Sequence, residues 1–339
     1  MTDLAQKSPA LRITSAVLGS PALRLVGTRL LTAIPVLLGV TILTFILLNL
    51  IPGSAGLQIL GPNATQAQID QLEAQMGLDR PPVERYLSWL GGVLHGDLGR
   101  SLTSRQPVAD VLPGKLLVTA ELVGLAFFIA LVFAIPLALW AARRPNGVVD
   151  RTSLGVSTFV LSIPNYVLAL LLSLLFAAQL DWLPAIWSSR QTSKGPIQLL
   201  EYMILPALSL GLGLLFFYTR FLRSDLVDQL QGQDYIMTAR AKGLGPWQVL
   251  LRHAFRNSSF GLITFVGLNI SAFFGLTVIT EYIFSMPGLG GYLLASINTR
   301  DYVVLQAIVL VFAVITVLAN LLTDVLYAVL DPRIRYGSH

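Results

Sequence analysis

Apolar positions in this chain run on for long stretches with little polar relief. Six stretches are long and apolar enough to cross a bilayer as helix, which takes about 20 residues. They are 30–51, 116–141, 154–180, 203–222, 260–284 and 303–330. Pro35, Pro136, Pro164 and Pro206 sit inside them. Neighbouring helices in a bundle can re-satisfy the backbone groups a proline frees, so these prolines do not veto the spans. The pattern predicts an all-α polytopic membrane protein with six transmembrane helices over 30–330. The first span does not read as a cleaved signal peptide, because its apolar run is too long and no small-residue site follows before Pro52-Gly53.

The polar stretches divide the rest. Residues 1–29 form a leader with Arg spaced among apolar residues, which fits either a short interfacial helix or a partly ordered tail. The segment 52–115 predicts a small helical cap. Thr65 and Gln68 are spaced as a capping box, the helix they open is expected to stop at Gly77, and Pro81-Pro82 opens another. In that second helix Val83, Tyr86, Leu87, Leu90, Val93 and Leu94 share a face at helical spacing. The segment 181–202, between the third and fourth spans, carries Trp182 and Trp187, as in an aromatic belt. Residues 223–259 form the longest interruption on the other side, and 331–339 a short tail.

Composition narrows the chemistry. Mean hydropathy is +0.70, with 54% hydrophobic and 12% charged residues. Cys is absent and the three His residues share no metal-binding spacing, so no metal site and no cofactor are expected on this chain. Gly114-Lys115 is followed by Leu116 without the glycine a phosphate-binding loop requires. No paired carboxylates share a helix face in that longest interruption, and no Ser has a nearby His base, so catalytic residues are absent and an enzyme is not expected. Six spans place both termini on one side. That side carries Lys7, Arg12, Arg24, Arg29, Arg143, Arg144, Arg151, Arg220, Arg223, Arg240, Lys242, Arg252, Arg256, Arg333 and Arg335. The excess of basic residues makes it cytoplasmic, and the cap extracytoplasmic.

The stretch "DYIMTARAKGLGPWQVLLRHAFRN", Asp234 to Asn257, predicts helix, break, helix. Asp234–Lys242 is the first helix, with Tyr235, Thr238, Ala239, Arg240 and Ala241 along it. Gly243 is its natural C′ residue. Leu244 is left projecting between Gly243 and Gly245, and Pro246 suits a first helical position. The expected object is a compact knob of two short helices at an angle, with Trp247, Leu250, Leu251, Ala254 and Phe255 broadly on one side of the second. A solvated loop held to anionic lipid by its basic residues is the plainer reading.

These residues carry a resemblance. "TARAKGLGPWQVLLRHAFRNS" resembles the cytoplasmic coupling segment, the EAA loop, of ABC-importer permeases, and in detail the B-type subunit of the dipeptide/oligopeptide/nickel family. The likeness extends over roughly 28–337 through "RLLTAIPVLLGVTILTFILLNLIPG", "GLDRPPVERYLSWLGGVLHGDLGRSL", "LSIPNYVLALLL", "EYIFSMPGLGGYLLASINTRDY" and "DVLYAVLDPRIRYG". Met237 stands where the motif has glutamate, and Gly261 where the family has proline. The resemblance implies a type I ABC importer permease fold in a prokaryotic inner membrane. It also implies that the knob docks into a cleft on a nucleotide-binding subunit. The implied partners are a second, C-type permease, one or two ATP-binding subunits holding ATP and Mg, an extracytoplasmic binding protein and a peptide substrate, with no nucleic acid. Chelated nickel, glutathione or haem are the alternative cargoes. A secondary transporter fits less well, since internal repeats are missing.

Polar residues inside spans are the pathway candidates. Glu121 lies one turn into the second predicted span. Asn165, Asn269 and Asn320 suit helix–helix hydrogen bonding first and substrate contact second. Asp324, at the cytoplasmic end, is expected to cap a helix or pair with a basic residue. Glu281 precedes "YIFSMPGLGG", where a gate and a structural ion pair are both open. Pro287, Gly288, Gly290 and Gly291 suit a tight turn whose backbone approaches other elements closely.

Overall fold

The computed structural model describes residues 21–50, 55–75 and 77–330. Residues 1–20 of the leader, Pro52-Gly53 and the tail 331–339 lie outside the described residues, and the rest of the leader belongs to the first helix. The described residues are mainly helical, with one isolated bridge among them pairing Arg100 and Pro107. The elements are α1 (Pro21–Leu50), α2 (Ala55–Leu60), α3 (Gln66–Gln75), α4 (Pro82–Leu94), α5 (Val108–Arg143), α6 (Val148–Leu161), α7 (Asn165–Leu172) and α8 (Ser189–Thr192). There follow α9 (Pro196–Gly232), α10 (Asp234–Ala241), α11 (Pro246–Gln248), α12 (Phe255–Ile283), α13 (Leu289–Asn298) and α14 (Tyr302–Leu330). A π-helical turn, Ser173–Gln179, prolongs α7, and another, Val249–Ala254, joins α11 to α12.

Four of the predicted spans are continuous helices at α1, α5, α9 and α14, and a fifth runs from Pro246 to Ile283. The third does not cross straight. It breaks into α6 and α7, bent by 100°. Pro164 is the cause. Pro35, Pro136 and Pro206 stay inside helices, as does Pro113. Pro164 instead takes φ −58° and ψ 142° as the residue before α7. Its ring removes an N–H donor and disfavours the helical region for Ile163. The helices also outrun the apolar stretches. α9 continues ten residues past Leu222 to Gly232, so 223–232 is helix and not loop. The helix expected to be a short second arm of the knob is instead the first turns of the long fifth helix. Hydropathy marks the bilayer, about 30 Å thick, whereas a 37-residue helix is about 55 Å long.

The core sits between α5 and α9. Ala126, Ala130, Ala134, Ala138 and Ala142 recur every fourth residue along α5 and are fully buried. They share one cluster with Leu205, Leu210, Leu214 and Tyr218 of α9. A Cβ on Gly211 would come within 3.0 Å of the Ala126 carbonyl oxygen. Burying apolar surface is worth little between helices already in lipid, so this close backbone contact supplies the attraction. Gly267 of α12 likewise leaves room for the Thr323 side chain of α14. Gly261 does so for the Phe221 ring, 3.1 Å from where a Cβ would stand.

The cap follows its local signals. Thr65 Oγ1 accepts from Gln68 N–H at 3.4 Å and Gln68 Oε1 accepts from Thr65 N–H at 2.9 Å, the reciprocal pair expected of a capping box. Gly77 turns the chain at φ +66°, and α4 starts at Pro82. α4 then folds back along α1. Tyr86 hydrogen-bonds Thr41 at 3.0 Å and its ring stands 5.5 Å from Phe45. Thr41 is nine residues before the end of α1, about 14 Å along the axis at 1.5 Å per residue. The cap therefore reaches down the flank of the first span, with Val83, Leu87 and Leu94 exposed on α4.

Candidate functional site

Two glycine-containing turns flank the fifth helix, one at each end. The first links α10 to Pro246. Gly243 has φ +80°, its N–H reaches Arg240 O at 2.9 Å, and Leu244 N–H reaches Ala239 O at 3.3 Å. That is a Schellman ending, which places a left-handed residue at C′ where glycine costs least. Asp234, Thr238, Arg240, Ala241, Lys242, Gly243 and Gly245 are exposed. Met237, at the motif's glutamate position, is also exposed, at 68%. The inner side holds the loop in place. Ile236 and Ala239 are buried in the core cluster. Tyr235 Oη donates to Gln229 Oε1 at 2.6 Å and accepts from Asn257 Nδ2 at 2.9 Å, tying α9, α10 and α12 together. Leu244 does not project freely: it is half-buried against the same core. Nor is Leu251 on the packed side, since it is exposed while Val249, Leu250 and Ala254 are buried. Helical pitch through a π-helical turn differs from 3.6 residues, which shifts the face. The Arg143 guanidinium lies 4.9 Å over the Trp247 ring, linking the end of α5 to this turn.

The second turn, between α12 and α13, is closed. Glu281 is fully buried. Its Oε1 accepts from Thr119 Oγ1 at 2.6 Å and its Oε2 from Gly291 N–H at 2.9 Å. Thr119 in turn accepts from Leu289 N–H at 2.8 Å. A Cβ on Gly288 would collide with the Glu281 carboxylate, one on Gly290 with the Val278 backbone, and one on Gly291 would stand 2.8 Å from Met286 O. Glu281 thus clamps the turn to α5 through hydrogen bonds, and forms no ion pair among the described residues. Pro287 is half-buried within it.

The remaining candidates are scattered. Glu121 is half-buried well inside α5 rather than one turn from its start, because the helix begins at Val108. Asn165 opens α7 at the bend, its Oδ1 3.3 Å from where a Cβ on Gly213 would be. Asn269 Nδ2 donates to Phe265 O at 2.7 Å within its own helix. Asn320 is exposed, and Asp324 pairs with Arg29 Nε at 2.8 Å. Two buried links escaped sequence reasoning. Asp150, 1% exposed, takes both Arg223 Nε at 2.7 Å and Nη2 at 2.5 Å, bracing α6 against α9. Asp301 takes the Ser101 hydroxyl at 2.5 Å, tying the cap to α14. Their partners lie 73 and 200 residues apart, and the only local signal was an acid beside an apolar run.

Among the described residues no group of His, Cys, Asp or Glu could hold a metal ion. Residues 134–336 match the family model for the binding-protein-dependent transport system inner membrane component, and residues 22–123 match the model for the N-terminal part of such membrane components. The chain is 37% identical over 310 residues to the oligopeptide transport system permease protein AppB of Bacillus subtilis (strain 168), covering 91% of this chain and 98% of that one. It is 35% identical over 308 residues to the glutathione transport system permease protein GsiC of Escherichia coli (strain K12), covering 91% and 97%. In three dimensions it is similar to a chain of the inward-facing MetNI methionine ABC transporter, with a TM-score of 0.51 at 16% identity, over 65% of this chain and 96% of that one.

Proposed function

The chain belongs to the family of binding-protein-dependent transport system inner membrane components, and from that premise we propose that it forms half of a translocation pathway for di- and oligopeptides. It is a permease subunit of an ABC importer, a membrane component that works with ATP-binding subunits and a binding protein. The observation that carries the peptide reading is the near full-length likeness to an oligopeptide permease. The likeness to a glutathione permease favours a second cargo, itself a tripeptide, within the same chemical class.

The proposed division of labour is as follows. The binding protein selects the cargo, so the permease needs only a wide, weakly polar passage. ATP and Mg are held and ATP hydrolysed on separate chains, and this chain carries no cofactor of its own. A C-type permease supplies the other half of the pathway, with one or two ATP-binding chains beneath. Both termini and the 233–245 loop face the cytoplasm of a prokaryotic cell, a placement supported by the Lys and Arg distribution. The exposed face of α10 with Gly243 docks into the ATPase cleft. Uptake by the reconstituted complex of a panel of di-, tri- and pentapeptides, glutathione and chelated nickel tests the cargo. Saturable uptake of peptides is the expected result. Uptake of the nickel chelate alone would overturn the peptide reading.

A further inference from the structure

A cavity of about 800 Å³ lies beneath the cap, at the matched ends of two antiparallel spans. Phe45, Leu48 and Asn49 come from the last turns of α1, and Tyr302, Val303 and Gln306 from the first turns of α14. Helix ends at this depth meet the boundary between hydrocarbon and headgroups. The cavity is unusually rich in donors. Arg80, Arg85, Arg100 and Arg105 all line it. Arg80 is paired with Glu84 at 3.7 Å, and the other acid in the lining, Asp97, accepts from Gly99 N–H. Arg85, Arg100 and Arg105 form no ion pair among the described residues. Arg85 donates to Asn49 Oδ1 at 3.2 Å and lies over the face of Phe45, with Tyr302 and Glu73 near enough to act on its charge. Its burial lowers its pKa from the ordinary value in spite of Glu73, a cost that a further anion would offset.

Two further donors are buried and unused. Gln306 is 5% exposed, yet its Nε2 has no hydrogen-bond partner, and Trp89 Nε1 is in the same condition. Both residues line the cavity. A buried donor without an acceptor carries an uncompensated desolvation cost, so two beside a cluster of arginines point to an acceptor entering the cavity, onto which these side chains turn. The cavity's flanks are apolar and open. Leu43, Ile46, Leu47 and Leu50 on α1 and Val83 and Leu87 on α4 are exposed.

We propose that this cavity binds the phosphate of an anionic glycerophospholipid, with Arg85, Arg100, Trp89 and Gln306 donating to its oxygens and the acyl chains lying along the exposed faces of α1 and α4. The shared chemistry is an oxyanion, and a free phosphate is the other possible source of it. The site would lock the cap onto α1 and α14 only where anionic lipid is present. It does not depend on which cargo the complex carries.

The test uses the complex of this chain with its partner subunits, purified into detergent and exchanged into phosphatidylglycerol or phosphatidylcholine, with retained lipid counted by native mass spectrometry. Phosphatidylglycerol should be held more than about tenfold better than phosphatidylcholine, since the attractions of several basic residues to an anionic lipid add. Arg85→Gln with Arg100→Gln should bring that ratio down to about twofold or less. Gln306→Met keeps the volume and removes an unpartnered donor. A purely structural role predicts unchanged lipid retention for it, whereas the lipid site predicts a loss of about threefold or more in phosphatidylglycerol retention. Because the Gln306 Nε2 has no partner among the described residues, this variant removes no hydrogen bond made by that nitrogen and should fold even where the double arginine variant does not. Equal retention of the two lipids, or retention unaffected by Gln306→Met, overturns the proposal. So does radiolabelled inorganic phosphate that binds lipid-free complex through Arg85 and is not displaced by phosphatidylglycerol, since the site would then take the free anion.

Discussion

Gly243 stands in the turn before the fifth helix and Gly290 at the start of α13 just after it, and they are glycines for opposite reasons. Gly243 needs its backbone conformation: φ is +80° and nothing lies within 4 Å of where a Cβ would be. Gly290 has an ordinary φ and no room, because a Cβ would collide with the Val278 backbone. The first turn presents an open surface on a fixed frame. The second is a closed joint in which Glu281, Thr119, Leu289 and Gly291 satisfy one another. Substitutions in the joint should therefore act on the fold, and substitutions in the exposed turn on what docks there.

The largest effect is expected from Gly290→Ala. Overpacking usually costs about 1–3 kcal/mol, and more where the obstacle is backbone. The purified complex should melt several degrees lower, or fail to assemble. Unchanged melting would mean that α12 and α13 separate more readily than their contact implies. Next is Glu281→Ala, which leaves the Gly291 N–H without its acceptor at about 1–3 kcal/mol and the Thr119 hydroxyl with only the Lys115 carbonyl, 3.3 Å away. Glu281→Gln keeps one carbonyl oxygen and should lose roughly half as much in the same melting measurement. If the two variants melt alike, the carboxylate does not clamp the turn.

Gly243→Ala should cost only about 1–2 kcal/mol, the penalty of a left-handed non-glycine residue. Asn tolerates that region, so Gly243→Asn should retain more uptake than Gly243→Ala. The reverse order would show that space, not φ, selects glycine there. The smallest effect is Leu244→Ala. Its side chain is half-buried in its own core, so about 1 kcal/mol of packing is lost, short of the 2–5 kcal/mol typical of a fully buried leucine. Co-purification with the ATP-binding subunits should hardly change.

The same contrast explains what was legible in the sequence. Signals that act within a few residues were readable: the Thr65–Gln68 capping box, the ends at Gly77 and Gly243, and the start at Pro82. The apolar runs were readable because lipid demands them. Pro164 was not, since Pro136 and Pro206 also sit inside apolar runs and stay helical where neighbouring helices hold them. The lengths of α9 and the fifth helix were not, because helices continue through water once a partner packs on them. Tyr235 and the Asp150–Arg223 pair are such partners. Glycines 288 and 290 were marked as a close approach. What they approach, a buried Glu281 hydrogen-bonded across 162 residues to Thr119, lies beyond any local pattern.

The central claim is that the Gly243 turn transmits the ATPase cycle to this chain, and Gly243→Asp tests it most directly. A Cβ has open space there, so the chain should insert and its fold should survive. A carboxylate entering a packed interface should cost several kcal/mol of docking. The measurement is ATP hydrolysis by the purified complex with and without loaded binding protein. The account predicts that hydrolysis continues at its basal rate and no longer rises with binding protein, and that uptake stops. Normal stimulation together with normal uptake would contradict it.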